Sequence, residues 1–172
     1  MGPDPEDPDL EDPDPEDIAC WQRIDARLTT SGRLKESDVA RLAAIGVERA
    51  INLALDDSPG ALVGEAALMA RAGIAYTQIP VPFDAPDEAH FAAFRAAMEA
   101  AGDAVVHVHC IMNWRVSAFL YRYHREARGM AEDEARALME RHWSPGTSTH
   151  KDAPAWAAFI AAAAPALNRP RS

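Results

Sequence analysis

Cysteine is scarce: Cys20 and Cys110 are the only two in 172 residues. That is too few for a disulfide framework, and both thiols are expected to stay reduced. No run of about 18 apolar residues occurs, so the sequence offers no membrane-spanning helix. The N-terminal stretch has neither the basic start nor the apolar middle of a secretory leader. These absences predict a cytoplasmic chain with no membrane partner. The six histidines show no metal-ligand spacing, and no glycine-rich nucleotide loop is present, so neither a metal nor another cofactor is expected. Nothing in the sequence speaks to oligomeric state.

Basic charge is also short. There are 17 Lys and Arg against 27 Asp and Glu, a net charge of −10. The imbalance is local, because residues 1–17 (MGPDPEDPDLEDPDPED) hold nine acids and no base. The remainder has 18 acids against 17 bases. A nearly neutral domain lacks the basic balance of a nucleic-acid binder. The acidic stretch alternates with proline and cannot bury enough apolar surface to offset its ordering entropy. A disordered tail is therefore expected over 1–17, one folded domain over 18–166 and a flexible end over 167–172. Apolar residues make up 48% of the chain, enough for a sizeable core.

Within the domain, strand-like runs alternate with helical periodicity. Residues 21–30 (WQRIDARLTT) predict a short strand or hairpin. Ser37 is the expected N-cap of a helix through Ile45 that Gly46 ends. Residues 49–55 (RAINLAL) predict a strand and 61–72 a helix stopped at Gly73. Residues 76–81 (YTQIPV) predict a strand entering a proline-rich loop. Asp87 should cap a helix with Phe91, Phe94 and Met98 on one face and Gly102 at its end. Residues 104–109 (AVVHVH) predict a strand. The following helix is expected from near Val116, with Val116, Phe119, Leu120 and Tyr123 as its buried stripe. Further helices are expected at 131–142 and 154–165. This alternation predicts an α/β fold with a central, mainly parallel sheet flanked by helices.

Residues 105–123, VVHVHCIMNWRVSAFLYRY, carry the chemistry. A buried strand ends at Cys110, a short loop follows, and a helix begins near Arg115. Ligands of open α/β sheets bind beyond the carboxyl ends of strands. A helix N-terminus adds unpaired N–H groups and a positive dipole end. The N–H groups of Ile111, Met112, Asn113, Trp114, Arg115 and Val116 could surround a phosphate. The Arg115 guanidinium would add a two-pronged, permanently charged contact. Such a setting favours thiolate over thiol, and a thiolate beneath a phosphoryl group is an activated nucleophile. Ser117 stands where it could donate to the sulfur. His109 reads equally as a loop-orienting residue or as a satisfied core histidine, and His107 shares its face. Asn113 suits a left-handed position in a tight loop. Against this stands the reading of Cys110 as a buried structural thiol, since Cys is among the most buried residue types. The coincidence of strand end, helix start and Arg five positions later favours the anion site.

At these residues the chain resembles the protein tyrosine phosphatase superfamily, whose pattern is His-Cys, five residues, Arg, then Ser or Thr. HCIMNWRVS keeps His109, Cys110, Arg115 and Ser117, with four residues between Cys and Arg. The shortened spacing is similar to a bacterial branch of atypical, dual-specificity-like phosphatases. Likeness extends through RLTTSGRL (27–34), INLAL (51–55) and IPV (79–81) to about Trp156. The resemblance implies a dual-specificity-phosphatase-like fold and metal-free hydrolysis of phosphate monoesters through a cysteinyl-phosphate. The implied substrate is a phosphorylated protein (phosphotyrosine or related) or a small phosphomonoester. A loop aspartate that protonates the leaving oxygen is also implied, with Asp84 and Asp87 as candidates in PVPFDAPDEAHF. Asp87 has the N-cap duty, which leaves Asp84 as the favoured acid. Two rivals stay open: a rhodanese-like sulfurtransferase using a Cys110 persulfide, and a non-catalytic phosphate-binding module. Trp143 and His150, in the polar segment 143–156, are candidate pocket neighbours. Nothing in the sequence brings Cys20 to Cys110.

Overall fold

Five short strands form the middle layer: β1 (Gln22–Asp25), β2 (Leu28–Ser31), β3 (Arg49–Asn52), β4 (Ala75–Gln78) and β5 (Val106–His109). The six helices are α1 (Glu36–Ala44), α2 (Glu65–Arg71), α3 (Glu88–Ala101), α4 (Trp114–Glu126), α5 (Glu132–Glu140) and α6 (Ala153–Ala161). These counts are of residues 13–163, which the computed structural model describes; the expected flexible end and most of the expected tail lie outside the described residues. The strand order is β1-β2-β5-β3-β4. Only β1 and β2 pair antiparallel; every other pairing is parallel. The result is a mixed α/β fold around a mainly parallel sheet.

Strand alternation sorts β5 between two cores. Val106 and Val108 enter the larger cluster, with Phe91, Phe94, Phe119 and Trp156 from the helices on that side. The smaller cluster is built around Val39 and Leu42 of α1 and Met69 of α2. His107 and His109 point to the face opposite the valines, as the period of two requires. In α4, Val116, Phe119, Leu120 and Tyr123 are all buried, so the predicted stripe packs on the sheet. Asp87 caps α3 through a hydrogen bond accepted from His90 N–H at 2.8 Å, and Gly102 ends that helix at φ 57°. The αL-side φ is one that glycine adopts without a Cβ penalty.

Several boundaries differ from the sequence reading for local reasons. The N-cap of α1 is Lys35, and Ser37 falls inside the first turn. The buried Asp38 carboxylate takes over the capping, accepting from Lys35 N–H at 2.8 Å. α2 starts only after Gly64, which has φ 72°. α4 starts two residues earlier than expected, because Asn113 at φ 67°, ψ 8° turns the chain directly into the helix. The expected tail boundary at residue 17 also falls later than the first tethered residues. Asp14 pairs with Arg23 at 2.7 Å, and Asp17 pairs with Arg41.

Candidate active site

The site grows from the carboxyl end of β5. Its residues Val106–His109 lie opposite Leu28–Ser31 on one edge and Arg49–Asn52 on the other. Cys110 follows directly, and its N–H donates to Ser31 O at 3.4 Å. The loop is then pinned from three sides. Arg33 N–H donates to Ile111 O at 2.9 Å. The Asn113 side-chain amide donates to Cys20 O at 2.9 Å and to Thr30 Oγ1 at 3.0 Å. Gly32 lies so close that a Cβ there would collide with Ile111 O and come within 3.3 Å of Ala19 O. Glycine is needed here for backbone approach rather than for a positive φ.

A cavity of about 390 Å³ opens on this loop. Cys110, Ile111, Met112, Trp114 and Arg115 line it from the loop and the start of α4. Leu55, Ser58 and Pro59 after β3, Phe83 after β4, and His150 between α5 and α6 complete the lining. A larger cavity of about 730 Å³ surrounds Leu28 and Val106 at the other end of the sheet and contains no loop residue, so size alone does not mark the site.

The amide N–H groups of 111–116 donate to no protein acceptor among the described residues. Six unpaired donors beside a cavity are the backbone half of an anion cradle. Arg115 supplies the charged half. It is 7% exposed, its Nη1 donates to Val81 O at 2.9 Å, and its guanidinium lies 5.8 Å from the Phe83 ring centroid. One arm of the guanidinium is therefore anchored to the β4–α3 connection while the side chain lines the cavity.

Beneath the loop, polar side chains fill the α1/α2 face of the sheet. His109 Nδ1 donates to Cys110 O at 3.3 Å, and its Nε2 meets the Glu65 carboxylate at 2.5 Å. Glu65 also accepts from Asn52 Nδ2 at 3.4 Å. His107 is fully enclosed, with Thr29 Oγ1 at Nδ1 and Ser31 Oγ at Nε2, both at 2.8 Å. Ser31 spends its proton on Gly32 O, so it accepts from His107 Nε2–H and Thr29 donates to Nδ1. Burial pushes the His107 imidazole well below its ordinary value, with the neighbouring His109 acting in the same direction. The ring is held neutral.

Of the sequence-derived candidates, Cys110, Ile111, Met112, Trp114 and Arg115 come together at the cavity, and His109 sits beneath it. Asn113 and Val116 are fully buried and line no part of this cavity; the Asn113 side chain serves to hold the loop. Ser117 departs from expectation. Its Oγ donates to Trp114 O at 3.1 Å, and it lines a separate small cavity with Asn113 and His124. The earlier helix start makes Trp114 O available three residues back, and a helical serine takes such a carbonyl readily. Asp87 is engaged as the α3 cap. Asp84 is exposed one residue beyond Phe83, and neither carboxylate lines the cavity.

His150 lines the cavity, and Trp143 stacks on Trp114 at 4.4 Å with a 2° interplanar angle. Phe83 went unseen in the sequence although it contacts Trp114, Trp143, Trp156 and His150. Its carbonyl accepts from Trp156 Nε1–H at 2.6 Å. Glu65 and Gly32 were also missed. Cys20, expected to be remote, is beside the loop through its carbonyl bond to Asn113. Burial raises its thiol, and nearby Cys110 adds to the effect.

A mainly parallel sheet whose central strand runs through a Cys-to-Arg loop into a helix is a phosphatase-like α/β domain, with the fold of solved structures such as Tk-PTP. More narrowly, the chain belongs to the family of the beta-lactamase hydrolase-like protein, phosphatase-like domain, which residues 21–121 match. The DUF442 protein of Shewanella putrefaciens CN-32 is 30% identical over 83% of this chain and 87% of its own, with a TM-score of 0.71. TpbA of P. aeruginosa, in a variant bound to phosphotyrosine, is 20% identical over 84% of this chain and 90% of its own, with a TM-score of 0.62. PTPMT1 is 17% identical over 82% and 94%, also at 0.62. The last two likenesses are of fold. No curated protein sequence matches the chain.

Proposed function

We propose that the protein hydrolyses phosphate monoesters through a cysteinyl-phosphate, with Cys110 as nucleophile. The observation that carries this reading is the set of six unpaired N–H groups of 111–116, joined by Arg115, beside a cavity that Cys110 lines. Those donors fit the equatorial oxygens of a phosphoryl group, where charge is held during transfer. The Cys110 thiolate attacks phosphorus in line, the S–P bond forms, and the P–O bond breaks with its electron pair going to the leaving oxygen. Water then attacks the phosphocysteine and returns the thiolate. The cavity walls from Phe83, Trp114, Leu55 and Ile111 suit an aryl group on the ester. A phosphorylated tyrosine side chain or a small aryl phosphate is therefore the proposed substrate class. Asp84, the acid that the resemblance implied, lies exposed outside the cavity lining, so the proposal assigns it no step. The test is turnover of p-nitrophenyl phosphate: the wild type should release phosphate, and Cys110→Ser should abolish it while still binding vanadate or tungstate. Retained turnover in Cys110→Ser would remove the mechanism.

One observation favours a second reading. Among the described residues no carboxylate lines the cavity, and only four residues separate Cys110 from Arg115. Sulfur transfer needs no proton donor, because thiosulfate gives its outer sulfur to the Cys110 thiolate, forming a persulfide and releasing sulfite. Thiosulfate assayed beside p-nitrophenyl phosphate separates the two readings. Oxyanion binding with neither activity would leave a phosphate-binding module.

A further inference from the structure

His150 belongs to the segment between α5 and α6, far in sequence from the Cys110 loop, yet it lines the same cavity. The titratable side chains of that lining are Cys110, Arg115 and His150. Two of them already have work in the proposed reaction; His150 has none.

Its orientation is fixed. The imidazole meets Phe83 edge-on at 5.1 Å and 82°, and Trp114 at 5.8 Å and 90°. Its backbone N–H donates to Ser148 Oγ at 3.1 Å. Most informative is Nδ1, which accepts the N–H of Asp152 at 3.0 Å. The Asp152 carboxylate stands 4.0 Å from that nitrogen, beyond hydrogen-bond reach. A ring nitrogen that accepts an N–H carries no proton, so the proton of the neutral ring is on Nε2. Among the described residues, no protein group bonds Nε2. The protein has selected one tautomer and left its donor unused at the cavity.

We infer that His150 donates a hydrogen bond from Nε2 to the oxygen that leaves phosphorus. The inference rests on the phosphatase reading above. In-line attack places the leaving oxygen opposite the Cys110 sulfur, away from the loop amides and Arg115. A donor from a different element is needed there, and His150 comes from the α5–α6 segment. As the P–O bond breaks, its electron pair collects on that oxygen, and the Nε2–H bond stabilises the departing aryloxide. Nε2 keeps its proton throughout, since Nδ1 carries none and giving up the other would leave an imidazolate. Solvent water supplies the proton that finally neutralises the aryloxide. His150 thus takes the place at the leaving group that neither Asp84 nor Asp87 fills.

The experiment compares kcat/KM for phenyl phosphate and p-nitrophenyl phosphate in wild type, His150→Ala and His150→Gln. Phenolate is a poor leaving group, and p-nitrophenolate is stable without help. His150→Ala should lower the phenyl phosphate value about 10- to 100-fold more than the p-nitrophenyl phosphate value, as expected for loss of one transition-state donor. His150→Gln should recover part of the difference, because its amide can donate. The ratio of the two substrates is insensitive to any loss of folded enzyme. Equal losses on both esters, or no loss, would overturn the inference while leaving the phosphatase reading intact. If wild type hydrolyses neither ester in a Cys110-dependent way, the phosphatase reading falls and the inference with it.

Discussion

Glu65 shows how much a single buried residue contributes to the site without touching the cavity. It sits at the start of α2, 5% exposed, with His109 on one carboxylate oxygen and Asn52 on the other. Asn52 in turn accepts Ala54 N–H at 2.9 Å and donates to Tyr76 Oη at 3.0 Å. Burial pushes the Tyr76 phenol up to about 12, so it stays protonated and remains a polar neighbour of unchanging charge. Removing the carboxylate strands the His109 ring in the interior. Glu65→Ala should cost about 3–5 kcal/mol in unfolding free energy, the usual penalty for breaking a buried pair by deleting one partner. Chemical denaturation followed by tryptophan fluorescence would measure it. Glu65→Gln, whose single carbonyl oxygen can still accept from His109, should cost clearly less.

At the scale of elements, the loop owes its shape to the hairpin beneath it as much as to its own residues. Gly32 at the end of β2 has Ile111 O against the position a side chain would occupy. Gly32→Ala must push the Cys110 loop outward or open the Ala19–Gly32 backbone bond. The expected outcome is a drop in phosphatase kcat/KM of at least about tenfold, since small misplacements of reacting groups are costly, together with a loss of about 1–3 kcal/mol in stability from forced overpacking. Steady-state kinetics and thermal melts of the variant check both. Such couplings explain what could be read in the sequence. The strand–Cys–helix unit, the Asp87 cap and the stripe of α4 were legible because each is written in consecutive residues with a period or a cap. Phe83, Glu65 and Gly32 were not, because their roles arise from strand order. β5 inserts between β2 and β3, and only then do Phe83, Glu65 and Gly32, 27 to 78 positions before Cys110, reach its carboxyl end. The start of α4 was misjudged because a left-handed Asn113 begins it without a side-chain cap.

For the whole molecule, three histidines set a common dependence on pH. Burial is the leading cause that lowers His107, His124 and His142; the last two fall to about 4, with Arg128 and Arg141 respectively adding to the effect. All three are neutral in the native fold and free to protonate when unfolded, so the unfolded chain binds more protons as the pH drops. Their contribution to stability is complete above the unfolded value of about 6.5 and is lost as the pH falls from there towards about 4. Asp14 and Glu88, lowered chiefly by hydrogen bonds from Arg23 and Arg122, extend the loss further into acid. Thermal melts from pH 8 to pH 4.5 should give a Tm that is level above about 7 and then declines steadily. A Tm that holds constant between pH 7 and pH 5 would show that these rings are not buried neutral.

β5 has a parallel neighbour on each edge and all four of its residues are buried. A strand so enclosed cannot fray by itself; its amides exchange with solvent only when the sheet as a whole opens. The sulfur that follows it is carried by a strand paired on both edges and buried along its whole length. Exposed Cys20 meets oxidants and alkylating reagents from bulk water, whereas Cys110 meets them through the same mouth that admits an ester, so an occupied cradle shields the thiol as long as it stays filled.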